Sequence, residues 1–321
     1  MTQSGDTALT TEERIRARAR ELGFTHVAFA PVQQLGEERE LLEQWLKRAY
    51  HAGMQWMRHS VETRTDPTRI VPGARSMICL AMNYYTPAQH STHVEKAKIS
   101  RYAWGDDYHE LVGERLKQLE ASIAEWYPES RSRRYVDTGP VMEKAWAVRS
   151  GIGWLGKNGN VITKDMGSWV FLAEIISTLK LEYDNPIPDH CGTCTACIDA
   201  CPTGAIVENC VIDSNRCISY LTIEHRGDEL PGAENMNFEN WVFGCDICQD
   251  VCPWNSFQRA SDESAFAARP YNLAPSLSEL VNMDDDEFRR RFKNSTVKRT
   301  KAAGLRRNAR TVLMQRESHV R

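Results

Sequence analysis

Long hydrophobic runs are missing from this chain. No apolar stretch reaches the roughly 18 residues that a spanning helix needs, which argues against a membrane protein of helical type. The opening MTQSGDTALTTEERIRARAR has neither the apolar core of a secretory signal nor a twin-arginine pair ahead of one, so the expected location is cytoplasmic. Cysteine is almost absent from the first 190 residues. Only Cys79 occurs there, in an apolar, strand-like stretch where a thiol packs as a small hydrophobe. A usable dinucleotide fingerprint is also missing. Gly151-x-Gly153-x-x-Gly156-Lys157 matches the string, but a helical pattern rather than a strand precedes it. Those glycines are expected instead to let the backbone pass close to a large planar cofactor. With 321 residues and 41% apolar content, the chain can bury a sizeable core in about two domains.

Nine of the ten cysteines fall between residues 191 and 252. One run is Cys191-x2-Cys194-x2-Cys197-x3-Cys201-Pro202; the other is Cys245-x2-Cys248-x3-Cys252-Pro253, with Cys210 and Cys217 upstream to replace its missing first thiolate. This is the run of two-cluster bacterial ferredoxins, in which the Cys before Pro ligates the other cluster. It assigns Cys191, Cys194, Cys197 and Cys252 to one [4Fe–4S] cluster. Cys245, Cys248, Cys201 and one upstream thiol fall to the other. Zinc would explain the CxxC pairs but not the third Cys or the Cys-Pro, both of which occur twice. Disulfides would demand an oxidising compartment.

Charge is unevenly spread. Phe288 to Arg321 holds twelve Lys/Arg against one acidic residue, leaving 28 basic against 42 acidic groups in the other 287 residues. A basic tail on an acidic body suits a polyanion such as nucleic acid, or else is a solvated helix. Periodicity predicts helices over Thr11–Leu22, Glu38–Ala52, Trp104–Trp126 and Val141–Arg149, and strands over His26–Val32, Ser76–Tyr84, Arg134–Asp137 and Trp169–Thr178. The expected fold class is α+β. Residues 1–185 form a catalytic domain, 186–258 a ferredoxin-like domain with two [4Fe–4S] clusters, and 259–321 a short basic helical extension. A bare ferredoxin needs only about 60 residues for two clusters, so the preceding part of the chain is expected to hold the site they feed.

Six stretches carry a specific resemblance. They are Val71-Pro-Gly-Ala-Arg-Ser, Arg101-Tyr-Ala-Trp-Gly-Asp-Asp-Tyr-His, Tyr135-Val-Asp-Thr-Gly-Pro-Val-Met-Glu, Gly151-Ile-Gly-Trp-Leu-Gly-Lys-Asn, Arg216-Cys-Ile-Ser-Tyr-Leu-Thr-Ile-Glu and Cys252-Pro-Trp-Asn. In this order the chain resembles the epoxyqueuosine reductases, cobalamin-dependent iron–sulfur enzymes of the last step of queuosine synthesis on tRNA. The resemblance implies a base-off cobalamin between the two domains, electrons passing from the clusters to cobalt, and reduction of the epoxide at the wobble position. It places Cys217, in the Arg-Cys-Ile-Ser-Tyr motif, as the eighth cluster ligand. The related corrinoid domain of reductive dehalogenases supplies an alternative activity, and a plain electron-transfer protein is a third.

Removing an epoxide oxygen as water takes two electrons and two protons, so an acid must stand near it. The family's proton donor falls on Asp137, which serves as an acid only if its pKa is raised, as burial would do; a turn-capping role is the plainer alternative. Tyr102, Tyr108 and His109 are expected against substrate or corrin. Asp107-x-His109 lacks the correctly placed glycine of the cobalt-ligating D-x-H-x-x-G pattern, so His109 is a poor axial ligand. Arg58, Arg101, Lys157, Asn158, Ser219 and Cys245-Asp246 fall where the resemblance implies cofactor contacts, with salt bridges or turn bonds as the alternative. Expected partners are a tRNA carrying epoxyqueuosine and a reducing electron donor, and the chain is expected to act as a monomer. Longer family members add a C-terminal helical-repeat domain that this sequence does not show, which bears on how the anticodon stem is gripped.

Overall fold

A computed structural model describes residues 9–319, so residues 1–8 and the last two of the basic segment, Val320 and Arg321, lie outside the described residues. Four antiparallel strands form the central sheet: β1 (His26–Pro31), β2 (Ser76–Asn83), β3 (Ser132–Tyr135) and β4 (Val170–Ser177), in the order β1-β2-β4-β3. Both faces are covered, which explains why all eight residues of β2 are buried and why it reads as an unbroken apolar run. Phe29, Ile78, Leu80 and Ile175 point to one face, against α1 (Thr11–Glu21) and α3 (Tyr108–Trp126). Ala28, Met77, Cys79 and Leu172 point to the other, against α4 (Glu143–Arg149). Cys79 packs in that second layer, 1% exposed.

The helix starts obey local chemistry. Thr10 and Glu13 form a reciprocal capping box before α1. Asp107 caps α3, so that helix begins at Tyr108 rather than at Trp104, and residues 101–103 form a separate single turn. The helix expected over Glu38–Ala52 is cut short: α2 (Gly36–Lys47) ends before Ala49 and Ala52, both left-handed. Tertiary contacts decide this. The turn beyond α2 is tied to a distant segment, with Ser214 N donating to Tyr50 O at 2.9 Å and Gly53 N to the Tyr220 hydroxyl at 2.7 Å. The strand expected over Arg134–Asp137 stops at Tyr135, because Asp137 turns left-handed at φ 55°.

Each cysteine run wraps around one short helix, Ala196–Asp199 with Cys197 and Ile247–Asp250 with Cys248, beside the hairpin Ile206–Glu208/Val211–Ile212. A parallel pair between Lys98–Ile99 and Trp241–Phe243 joins this part to the first. At that seam Gly244 is left-handed, φ 69°, and a Cβ there would lie 2.5 Å from that of Ser100. The basic extension is no loose tail. Leu305, Ala309 and Val312 of α6 (Lys301–His319) share one core with Trp104, Phe238, Phe243 and Leu221 of α5 (Ile218–Ile223). Arg307 and Asn308, also on α6, are buried and donate to the carbonyls of Leu221 and Thr222. Much of its charge is answered internally, by Arg299–Glu224, Arg306–Asp285 and Lys298–Asp107. No helix of the described residues is long and apolar enough to cross a membrane.

Candidate active site

One cavity of about 1050 Å³ lies between the sheet domain, the cysteine runs and the C-terminal helices. That is at the top of the about 300–1,000 Å³ usual for small-molecule sites, so it suits a large ring cofactor. Cys201, Cys217, Cys245 and Cys248 all line it, whereas Cys191, Cys194, Cys197 and Cys252 do not. Mutual influence follows this division in part, although Cys248 also feels Cys197 across it and Cys210 feels Cys191 and Cys197. Burial raises Cys197, and the next influences raising it are the charges of Cys252, Cys191 and Cys194. Burial likewise raises Cys245, followed by Cys248 and Cys217, while Cys217 feels Cys201. Two groups of four result, one facing the cavity and one behind it. Cys210 stands apart, its left-handed backbone turning Sγ to Gly156 O at 3.4 Å. Among the described residues no three His, Cys, Asp or Glu side chains converge as a single ion would need; a cubane instead needs its thiolates spread around a cage.

An aromatic wall lines the same cavity. Tyr84 stacks on Phe171 at 4.3 Å, Phe171 on Tyr108 at 4.0 Å, and Tyr108 on His109 at 4.1 Å. Tyr102 meets Tyr108 edge-on. His109 bridges two carboxylates: Nδ1 lies 2.8 Å from Asp107 Oδ1 and Nε2 3.1 Å from Asp137 Oδ2. Both ring nitrogens are therefore occupied, which suits a proton-bearing imidazole and not an axial ligand. Burial works against a charged His109, but the two carboxylates win and push it up to about 9. Asp137, half exposed in the cavity wall, moves the other way. Burial favours its acid form, yet the bond and charge of His109, the Tyr108 hydroxyl and Arg299 hold it below the ordinary carboxylate range. The raised pKa expected of Asp137 is thus not found: the proton resides on His109, one hydrogen bond away.

The other expected contacts divide. Asn158, Ser219 and Cys245 line the cavity. Asn158 also donates to Cys248 O at 3.1 Å, so it holds the second cysteine run in place. Arg101 does not reach the cavity. Its guanidinium donates to the carbonyls of Thr86 and Ala88 and packs over Trp104 at 4.5 Å. Lys157 is committed to Gly192 O and Cys194 O, at 2.7 and 2.9 Å, clamping the first run. Asp246 is buried at the seam, accepting from the Ser100 hydroxyl and from Arg101 N at 2.7 Å, and burial pushes its carboxyl up to about 7. Arg58 is exposed and away from the lining. Gly153 serves the backbone rather than a cofactor, since a Cβ there would sit 2.3 Å from Ile162 O.

The sequence reading missed Tyr84 and Phe171, which look like ordinary strand residues, and the rim cations Lys144, Arg226, Lys298, Arg299 and Lys301. Three of those cations belong to the basic C-terminal segment, a charge signal that named the region without naming the residues.

A family profile described as epoxyqueuosine reductase QueG, DUF1730, matches residues 64–138, and one described as 4Fe-4S double cluster binding domain matches residues 190–255. The epoxyqueuosine reductase of Synechocystis sp. is 48% identical over 286 residues, covering 88% of this chain and 98% of that protein. The chain belongs to the epoxyqueuosine reductase family. The Gloeobacter violaceus epoxyqueuosine reductase is 47% identical over 309 residues, 94% of this chain and 96% of that protein. A crystal structure of an epoxyqueuosine reductase with an epoxyqueuosine-modified tRNA-Tyr stem loop matches with a TM-score of 0.87 at 32% identity, over 94% of this chain and 80% of that one. The Bacillus subtilis epoxyqueuosine reductase, solved with its catalytic aspartate loop swung out of the active site, matches at 0.86 and 31%, over 94% and 81%. In this family setting residues 190–255 are a segment that binds two [4Fe–4S] clusters.

Proposed function

We propose that the chain reduces epoxyqueuosine to queuosine at the wobble position of tRNA. One observation carries the reading: a single large cavity is lined by the second thiol group, by the Asp137–His109 pair and by five cations. Residues 1–185 would hold a base-off cobalamin against the aromatic wall, with Asn158, Ser219 and Cys245 on the side of residues 186–258. Cys191, Cys194, Cys197 and Cys252 would hold the outer cluster, and Cys201, Cys217, Cys245 and Cys248 the inner one beside the cavity. Bound there, these groups supply two electrons, one at a time, from a reducing partner.

The chain's own residues handle the substrate and the protons. Lys144, Arg226, Lys298, Arg299 and Lys301 give the cavity wall positive charge, and a phosphate would compete with Glu224 and Asp107 for Arg299 and Lys298, binding without reading sequence. The wobble base must leave its stack to enter, as for other enzymes acting on bases. Once substrate displaces water from Asp137, desolvation favours its acid form. The proton on His109 Nε2 then passes to Asp137 Oδ2, 3.1 Å away, and Asp137 presents it to the oxirane oxygen. Such positioned proton transfer contributes typically about 10²–10⁴-fold to rate. The reading takes the chain as a monomer of the cytoplasm. Its test is the absorption spectrum of anaerobically purified protein given cobalamin, then nucleoside analysis of treated tRNA. Bound corrinoid and new queuosine are expected; no bound corrinoid would overturn the reading.

A further inference from the structure

Behind Asp137 lies a second cavity of about 110 Å³. It shares a wall of eight residues with the large one, Asp137, Tyr108 and Lys144 among them, so the two adjoin along that wall. Glu143, the first residue of α4, lines this side cavity together with Asp137. Beneath it, on β4, Glu174 is 1% exposed, and neither of its carboxyl oxygens has a hydrogen-bond partner. A buried carboxylate with no partner is far costlier to keep charged than to protonate. Glu174 is therefore a neutral acid, raised by burial first and then by the charges of Glu143 and Asp137.

The deoxygenation needs two protons, and the His109–Asp137 pair holds one. Both C–O bonds of the oxirane break, two electrons arrive from the one-electron reductant through the clusters, and oxygen leaves as water with two protons. Resting on the function proposed above, we propose that Glu143 is a positioning and proton-carrying residue that reloads Asp137 from the side cavity after the first proton is spent. The groups facing it are Asp137 from the loop after β3, Tyr108 and His109 from α3, Arg64 from the helix Val61–Thr65, Glu174 from β4 and its own neighbour Lys144. Burial and the Asp137 charge raise Glu143 to about 7, opposed by Lys144, the Asp137 amide and His109. It is therefore poised to give and take a proton near neutrality.

Glu143→Gln separates the two roles Glu143 could play. Gln keeps the length and polarity of the side chain, so a purely structural role predicts no change. A proton carrier predicts a loss of at least about tenfold in single-turnover queuosine formation. It also predicts that the wild-type fall in rate above about pH 7 disappears in the variant. Glu174→Gln, a neutral replacement for a neutral acid, is the folding control and should keep both rate and profile. Infrared titration adds a readout without turnover: beyond the band of Asp246, which both proteins share, the wild-type minus Glu143→Gln difference should show a further carboxyl band titrating near neutrality. No such band, or a variant with the wild-type rate and profile, overturns the inference alone. A wild type that binds corrinoid and forms no queuosine overturns the reading on which it rests.

Discussion

His109 lies between Asp107 and Asp137, and this triad gives the site its proton and part of its stability. Its ring titrates at 6.5 when unfolded and about 9 when folded. A raised folded pKa means that the stabilisation is full below the unfolded value and is lost as pH rises through the folded one. Thermal unfolding midpoints should accordingly fall between pH 6.5 and 9, and His109→Gln should flatten that fall; identical slopes would show that the triad does not stabilise the fold. Cysteine identity is a second question at this scale. Cys217 lines the cavity with three other thiols, whereas Cys210 turns to backbone carbonyls. Cys217→Ser should lose about half of the iron and acid-labile sulfide, because a cubane missing one thiolate is labile. Cys210→Ser should keep both; the reverse result would exchange their roles.

Among the elements, α6 departs furthest from its sequence reading. Its charges suggested a solvated or polyanion-binding tail, yet its apolar face closes a core with α5 and the strand Trp241–Phe243. Leu305→Ala should cost about 2–5 kcal/mol, as for other buried leucines, measured by denaturant unfolding. A change under about 0.5 kcal/mol, usual for surface positions, would return the helix to a tail. The same contrast explains what was legible. The cysteine runs, the α1 capping box and the apolar strand β2 are written in local spacing, and the structure places them accordingly. The early end of α2 is set by contacts to Tyr50 and Gly53 from residues more than 160 positions away, which no local pattern carries. Arg101 and Lys157 sit in motifs that suggest cofactor contact, but a cation in a motif reads alike whether it meets a ligand or a carbonyl. Glu174 is hidden for a related reason: one acid in an apolar strand resembles an edge position until both faces of the sheet are seen to be covered.

Across the whole molecule, three segments far apart in sequence close around one cavity. The sheet domain supplies Asp137 and the aromatic wall, the cysteine runs supply four thiols, and the C-terminal segment supplies Lys298, Arg299 and Lys301. The seam at Ser100, Arg101 and Asp246 fixes the first two relative to each other. In the proposed reaction the electrons would enter by the thiol group and the protons by Asp137 and His109, both of which line this one cavity. The most direct test is single-turnover conversion of epoxyqueuosine tRNA by wild type and Asp137→Ala, each reconstituted with iron, sulfide and cobalamin. Wild type should form queuosine, while Asp137→Ala should show the same cluster and corrin spectra with turnover reduced about 10²-fold or more. Equal turnover in the two proteins would contradict the account.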